Sequence, residues 1–295
     1  MKKLGTDFGN SEADSRLILI DSDFSRYRDN KMACFQEDRG KYFLTHQLPP
    51  RVARAAIGAI AGRLASDYPD LFELSLRCLS SRITGESIAW TDEGLLDPSR
   101  TAIEAPIVDP LEGLSLQIQA DLAIVIRRSD GSDYVAALDV CAPSDWAPSE
   151  KIGKSFFDTH QPVPGFERVN AAAPHLVESI IRQGPFVRFV WGVETDDRLN
   201  HHPSPPPGVD PVEWKGRQFD KGRFWVRTER QTLLGLPEVD AALFFIHVQT
   251  TPDTMVLASP DLRDALRRGL MSMSPEARYY KGVAENFIGL VGLLG

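Results

Sequence analysis

Cysteine is scarce: three residues, Cys34, Cys78 and Cys141, in a chain of 295. An odd count at such wide spacing is no disulfide framework. With no Cys-x-x-Cys, the chain cannot by itself form a zinc ribbon or hold an iron–sulfur cluster on four cysteines. Long apolar runs are also missing. Stretches such as Ala241–Ile246 and Phe287–Leu294 fall far short of the roughly 20 residues that span a bilayer. The start, Met1-Lys-Lys-Leu-Gly-Thr-Asp7, is basic, but no apolar stretch follows, so no secretory signal is expected. Positive charge is in the minority, with 33 Lys and Arg against 41 Asp and Glu and a net charge of −8. That argues against a nucleic-acid protein working through a global basic field. The expectation is a cytoplasmic, soluble protein without nucleic-acid or membrane partners. Cofactor motifs are lacking too: no G-x-G-x-x-G after a strand, no Walker sequence, no H-E-x-x-H and no G-x-S-x-G. A redox enzyme of this sequence would draw its electrons from another protein.

What is present is ordinary for a globular chain, 42% apolar and 25% charged. Its length suits two domains or one large one. Residues 1–48 read as polar and irregular. Val52, Ala56, Ile60 and Leu64 recur at spacing four behind Pro49-Pro50, an amphipathic helix with prolines in its first turn. Residues 70–79 continue with helical spacing, and 91–113 read as a connector. From residue 114 the pattern changes to β. Leu116–Arg127 and Tyr134–Cys141 flank the turn Ser129-Asp-Gly-Ser132, a hairpin. Two helical stretches follow, 148–160 and 169–183. Three strands come next, 186–193, 223–233 and 241–249, and then helices from residue 260. Strand, strand, helix, helix and three strands suggest an α+β fold. The expected core is a PAS-like antiparallel five-stranded sheet with its helices on one face, a layout common to small-molecule and haem pockets, flanked by N- and C-terminal helices. The expected organisation is a helical or irregular segment 1–113 packing on a core 114–250, with C-terminal helices 251–295.

Few residues carry chemistry. His160 ends a short helix in Asp158-Thr-His-Gln-Pro-Val-Pro164. It is either a helix-end histidine favoured by the dipole or a ligand facing a pocket. His175, on the next helix, is the second candidate ligand. His201-His202 in a Pro-rich loop read as surface, as does His46, and His247 falls mid-strand. In the strand Arg223–Leu233, alternate residues share a face. Arg227, Glu229 and Gln231 lie on one side and Arg230 on the other. Charges on both faces of a strand are costly unless paired, so this is an edge strand, a self-satisfied ion pair or a polar pocket wall. In the last case arginines would hold carboxylates, and Glu229 a cationic amine. Lys151 is either solvent-facing or a partner of an anionic cofactor. The apolar tail helix reads as internal packing or a subunit face.

Four segments together resemble a known family: Val140-Cys-Ala-Pro-Ser-Asp-Trp-Ala-Pro-Ser-Glu-Lys-Ile-Gly153, then Phe156–Pro164, then Arg227-Thr-Glu-Arg-Gln-Thr-Leu-x-x-Leu-Pro237, then Tyr280-Lys-Gly282. Their order and spacing look like the catalytic alpha subunit of the haem-dependent oxidative N-demethylases. The resemblance implies a PAS-like domain with b-type haem, molecular oxygen as co-substrate and a small secondary methylamine oxidised to the primary amine and formaldehyde. It also implies a separate flavin and iron–sulfur reductase, and homo- or hetero-oligomeric assembly. Carried over by position, His160 is the expected axial iron ligand, with His175 behind it. Glu229 and Arg227 are expected catalytic residues, and Arg230, Gln231 and Lys151 expected cofactor contacts. The chain departs from the family where Gln119-Ala120-Asp121 replaces Gln-Glu-Asp, where Asp7-Phe8-Gly9 is a remnant of the usual opening, and in a long 200–220 loop. If the lost acid or the loop touches the substrate, these departures point to a substrate other than dimethylamine, such as one met in a biosynthetic tailoring oxidation. The alternative from another class is a haem-PAS sensor without turnover, against which the lack of an output domain weighs.

Overall fold

The computed structural model describes residues 1–165, 173–215, 219 and 223–295, without the side chains of 173 and 174. Ten strands are described: β1 (Lys2–Lys3), β2 (Phe43–Thr45), β3 (Phe72–Ser75), β4 (Cys78–Ser81), β5 (Ser87–Ala89), β6 (Asp121–Arg127), β7 (Asp133–Asp139), β8 (Phe186–Glu194), β9 (Trp225–Leu236) and β10 (Ala241–Pro252). The helices are α1 (Phe24–Tyr42), α2 (Pro50–Asp67), α3 (Pro110–Ser115), α4 (Phe156–His160), α5 (Ala173–Gln183), α6 (Pro211–Lys215), α7 (Asp253–Ala258), α8 (Pro260–Ser272), α9 (Pro275–Tyr280) and α10 (Phe287–Leu293).

The main sheet has seven strands in the order β1-β8-β9-β10-β6-β7-β2, and β3-β4-β5 form a second sheet. All described pairings are antiparallel. The expectation of five strands is therefore corrected. The five expected strands are its centre, and β1 and β2 from the first 45 residues complete its two edges. These edge strands are two and three residues long, too short to show alternation.

The expectation of helices on one face is also corrected. One face of the sheet, through Leu122, Ile124, Ile126, Leu243 and Phe245, packs on α2 and α3. The other, through Ala123, Leu233, Ala242 and Phe244, packs on Phe156 of α4 and on Val177, Ile180 and Ile181 of α5. A third apolar cluster joins Val193 and Phe224 to the C-terminal helices through Leu266, Leu270 and Leu290. At one point α5 comes so close to β9 that only a glycine fits. A Cβ on Gly235 would stand 2.0 Å from the Ile181 carbonyl oxygen.

Three further expectations fail locally. Residues 1–48 hold the 19-residue α1. Residues 70–79 are the β3–β4 hairpin, turned by Leu76 and Arg77, both left-handed with φ of 46° and 59°. The stretch 148–160 is a short 3-10 turn at Pro148–Glu150 followed separately by α4. The start of the second expected helix, 169–172, lies outside the described residues. No helix among the described residues is long and apolar enough to cross a membrane.

Candidate functional site

The β9 pleat sorts the Arg-Thr-Glu-Arg-Gln motif onto two faces. Antiparallel partners share a face, and β8 pairs Arg188 with Gln231, Val190 with Glu229 and Gly192 with Arg227. Arg188, Gln231, Glu229 and Arg227 therefore stand together on the face that carries α4 and α5. They form a continuous polar strip. Arg188 Nε donates to Gln231 Oε1 at 2.6 Å, and Gln231 Nε2 donates to Glu229 Oε2 at 2.7 Å. Ser144 Oγ donates to Glu229 Oε1 at 2.6 Å, and Arg227 Nε donates to Ser144 Oγ at 2.9 Å. Burial lowers the pKa of the Arg188 and Arg227 guanidinium groups, with Glu229 opposing that in both cases. Lys281, from the Tyr-Lys-Gly segment, donates to the Trp191 carbonyl at 2.5 Å. Burial lowers its pKa as well, against the fields of Glu229 and Glu194.

Arg227 is buried, and its contacts are those of a rivet. Its guanidinium donates to the carbonyls of Ala142 at 2.8 Å, Leu199 at 2.9 Å and Arg198 at 3.1 Å. It thus ties the loop after β7 to the loop after β8. Arg230 points to the opposite face, where it donates to the carbonyls of Ala13 and Arg16 at 2.9 and 2.7 Å. The structure does not bring it to Glu229.

His160 closes α4 on the side of the polar strip. Its ring packs on Phe156, with centroids 4.3 Å apart. Its Nδ1 lies 2.8 Å from the Phe156 carbonyl oxygen. A carbonyl only accepts, so Nδ1 carries the proton and the lone pair sits on Nε2. Burial pushes the imidazole pKa down to about 4, and the positive fields of Arg188 and Lys151 push the same way. A neutral imidazole whose other nitrogen is fixed by a carbonyl is the state in which histidine ligates a metal. Lys151 donates to the Thr159 carbonyl at 2.7 Å, at the end of α4. His175, on α5, is exposed.

His201 and His202, expected at the surface, are 7% and 5% exposed. Arg227 draws their loop inward. His201 Nε2 lies 2.9 Å from Asp196 Oδ1. His247 is buried on the sheet face opposite His160, edge-on to Tyr27. Sequence reasoning missed Ser144 and Arg188. A cation alternating with Val187 and Phe189 in a strand was the available signal for Arg188.

Two cavities among the described residues lie away from the expected haem site. One, of about 390 Å³, lies between α1 and the 197–214 segment, lined by Arg26, Cys34, Arg198, Asn200 and Trp214 among others. The second is formed by residues 5–15. Neither involves His160 or Glu229. The donor chemistry still fits a haem: a neutral imidazole for iron, with the cations Arg188 and Lys151 near it for carboxylate side chains.

A comparison with curated proteins finds no match. Residues 10–286, nearly the whole chain, match the family described as "Haem-dependent oxidative N-demethylase, alpha subunit-like", and the chain belongs to that family.

Proposed function

We propose that this protein is a haem-dependent oxidase of an amine, removing an N-methyl or related N-substituent with molecular oxygen as co-substrate. The observation that carries the reading is His160, neutral, with Nδ1 held by the Phe156 carbonyl, on the sheet face that also presents Glu229. The central strands run β7-β6-β10-β9-β8. Numbered from β6 within that core, this is the order 2-1-5-4-3 of a PAS-like sheet, which supports the reading.

His160 would ligate the iron of a b-type haem, and Arg188 and Lys151 would meet its carboxylates. When bound, the haem supplies the one-electron and oxygen chemistry that no side chain here can. The chain's own part is to bind and orient. Glu229, fixed by Ser144 and Gln231, offers a carboxylate to a cationic amine nitrogen. Arg227 is a positioning residue that holds Ser144 and, through it, Glu229. The family description as an alpha subunit implies a partner subunit. A separate flavin and iron–sulfur reductase is the proposed electron source.

The test is the absorption spectrum of protein expressed with haem supply, followed by formaldehyde release from methylated amines with a reductase. The wild type should show a Soret band, His160→Ala should lose or shift it, and Glu229→Gln should keep it while losing turnover. An unchanged spectrum and activity in His160→Ala would overturn the ligand assignment.

A further inference from the structure

Asp145, Glu194 and His201 each place one ligand atom within 4.8 Å of the others. They come from three segments: the loop after β7, the end of β8 and the loop that follows it. The backbone holds the two loops together. Asp145 N–H donates to the His201 carbonyl at 3.0 Å, and His201 N–H to the Pro143 carbonyl at 3.1 Å. Arg227 rivets the same loops from below. The cluster is therefore built into the fold.

Glu194 is the second, independent observation. It is 6% exposed, and among the described residues its carboxylate is paired only with His201 of the same cluster. His201 Nδ1 lies 3.5 Å from its Oε2. That distance is long for a charge-assisted hydrogen bond, which runs at about 2.7–2.9 Å. It matches two ligands of one ion: bonds of about 2.0–2.1 Å at a tetrahedral angle set neighbours about 3.4 Å apart. The far nitrogen of His201 meets Asp196 Oδ1 at 2.9 Å. Burial pushes the His201 pKa down, but both carboxylates hold it up, so an ion at Nδ1 would take the place of the proton that faces Glu194. A carboxylate that orients a histidine from behind is the usual outer shell of a metal-bound imidazole.

We propose that His201 Nδ1, Glu194 and Asp145 bind one divalent transition ion of the zinc class, oriented by Asp196 and distinct from the site at His160. One imidazole and two carboxylates suit zinc better than magnesium or calcium, which favour oxygen donors alone. The ion staples the end of β8 to the loop carrying Ser144, the residue that holds Glu229.

The test is calorimetric titration of zinc chloride into the chelator-treated full-length protein, with magnesium chloride as control. A zinc K-edge absorption spectrum of the loaded wild type complements it. The proposal expects one zinc equivalent with a micromolar or tighter Kd, no magnesium binding at that strength, and a first shell of one imidazole with oxygens. Asp145→Asn should weaken zinc at least tenfold. Asp145 is exposed with φ of 62°, and asparagine tolerates that backbone, so the variant should fold. Asp196→Asn should weaken binding 10- to 100-fold. Equal zinc affinity in wild type and Asp145→Asn, or an absorption spectrum without imidazole, would overturn it. The absorption spectrum needs no variant, so a misfolded mutant does not leave the question open.

Discussion

His247 shows what a single buried residue does to the stability of the sheet. It is 2% exposed, and neither ring nitrogen has a hydrogen-bond partner among the described residues. Around it stand Tyr27 and Lys31 from α1, Asp21 before that helix, and Arg230 opposite it on β9. Burial pushes its pKa from the ordinary 6.5 down to about 4, Asp21 opposes this, and Arg230 and Lys31 add to it. The folded protein therefore holds the ring neutral while the unfolded chain takes up a proton below 6.5. This contribution to stability is complete above pH 6.5 and shrinks as pH falls towards 4, by up to about 1.4 kcal/mol per pH unit. Urea titrations at several pH values should show that slope in the wild type and a shallower one in His247→Leu. At pH 7 the leucine variant should be more stable by about 1 kcal/mol, because it removes two unsatisfied buried polar atoms. A leucine variant with the wild-type pH slope would show that the protons go elsewhere. At this scale the alternation of β9 was legible in the sequence, and it separates Glu229 from Arg230 correctly. The burial of His201 and His202 was not legible. It depends on Arg227, on a different strand, drawing their loop inward, and no local pattern in a Pro-rich loop records that.

At the scale of elements, α5 packs tightly on β9 at one point. Gly235 leaves no room for a side chain, since a Cβ would meet the carbonyl oxygens of Ile181 at 2.0 Å and Ile180 at 2.7 Å. Those are backbone atoms, so relief requires moving the helix. Gly235→Ala should destabilise the protein by about 1–3 kcal/mol, the usual range for overpacking, measured as a lower denaturant midpoint. A midpoint equal to the wild type would mean that α5 shifts freely on the sheet. A second element, α3, starts with a capping box of Asp109 and Glu112. Glu112 is fully buried, accepting the amides of Val108 and Asp109 and an ion pair from Arg39. Arg39→Ala leaves that buried carboxylate with the amides alone and should cost about 1–3 kcal/mol by thermal melting; a smaller loss would show that the amides suffice. The elements that sequence reasoning missed have physical reasons. The buried line of α1, Phe24, Tyr27, Lys31 and Cys34, keeps helical spacing, but a lysine in it hides the pattern. Lys31 is tolerated because its ammonium donates to Ser115 and to the Ala120 carbonyl. The β3–β4 turn puts Leu76 and Arg77 where Asn-Gly is usual, so nothing in it announced a hairpin.

For the whole molecule, the first 20 residues both extend and cover the main sheet. β1 closes the β8 edge through Lys2 and Lys3, and edge lysines discourage further strand pairing. The segment after it crosses the opposite face. Leu17 and Ile18 are fully packed in the core there, the Ala13 and Arg16 carbonyls accept from Arg230, and the Leu17 carbonyl accepts from Thr232 at 2.6 Å. Two truncations separate these roles. Removing residues 1–4 uncovers the β8 edge but keeps the strap. It should leave the melting temperature within a few degrees while shifting the protein towards larger species in size-exclusion chromatography. Removing residues 1–20 also leaves the Arg230 guanidinium and the Thr232 hydroxyl without their acceptors and strips apolar cover from the core. Buried donors left unpaired cost about 1–3 kcal/mol each, so this variant should melt well below the shorter truncation. Equal melting temperatures for the two would show that the strap adds nothing to the sheet.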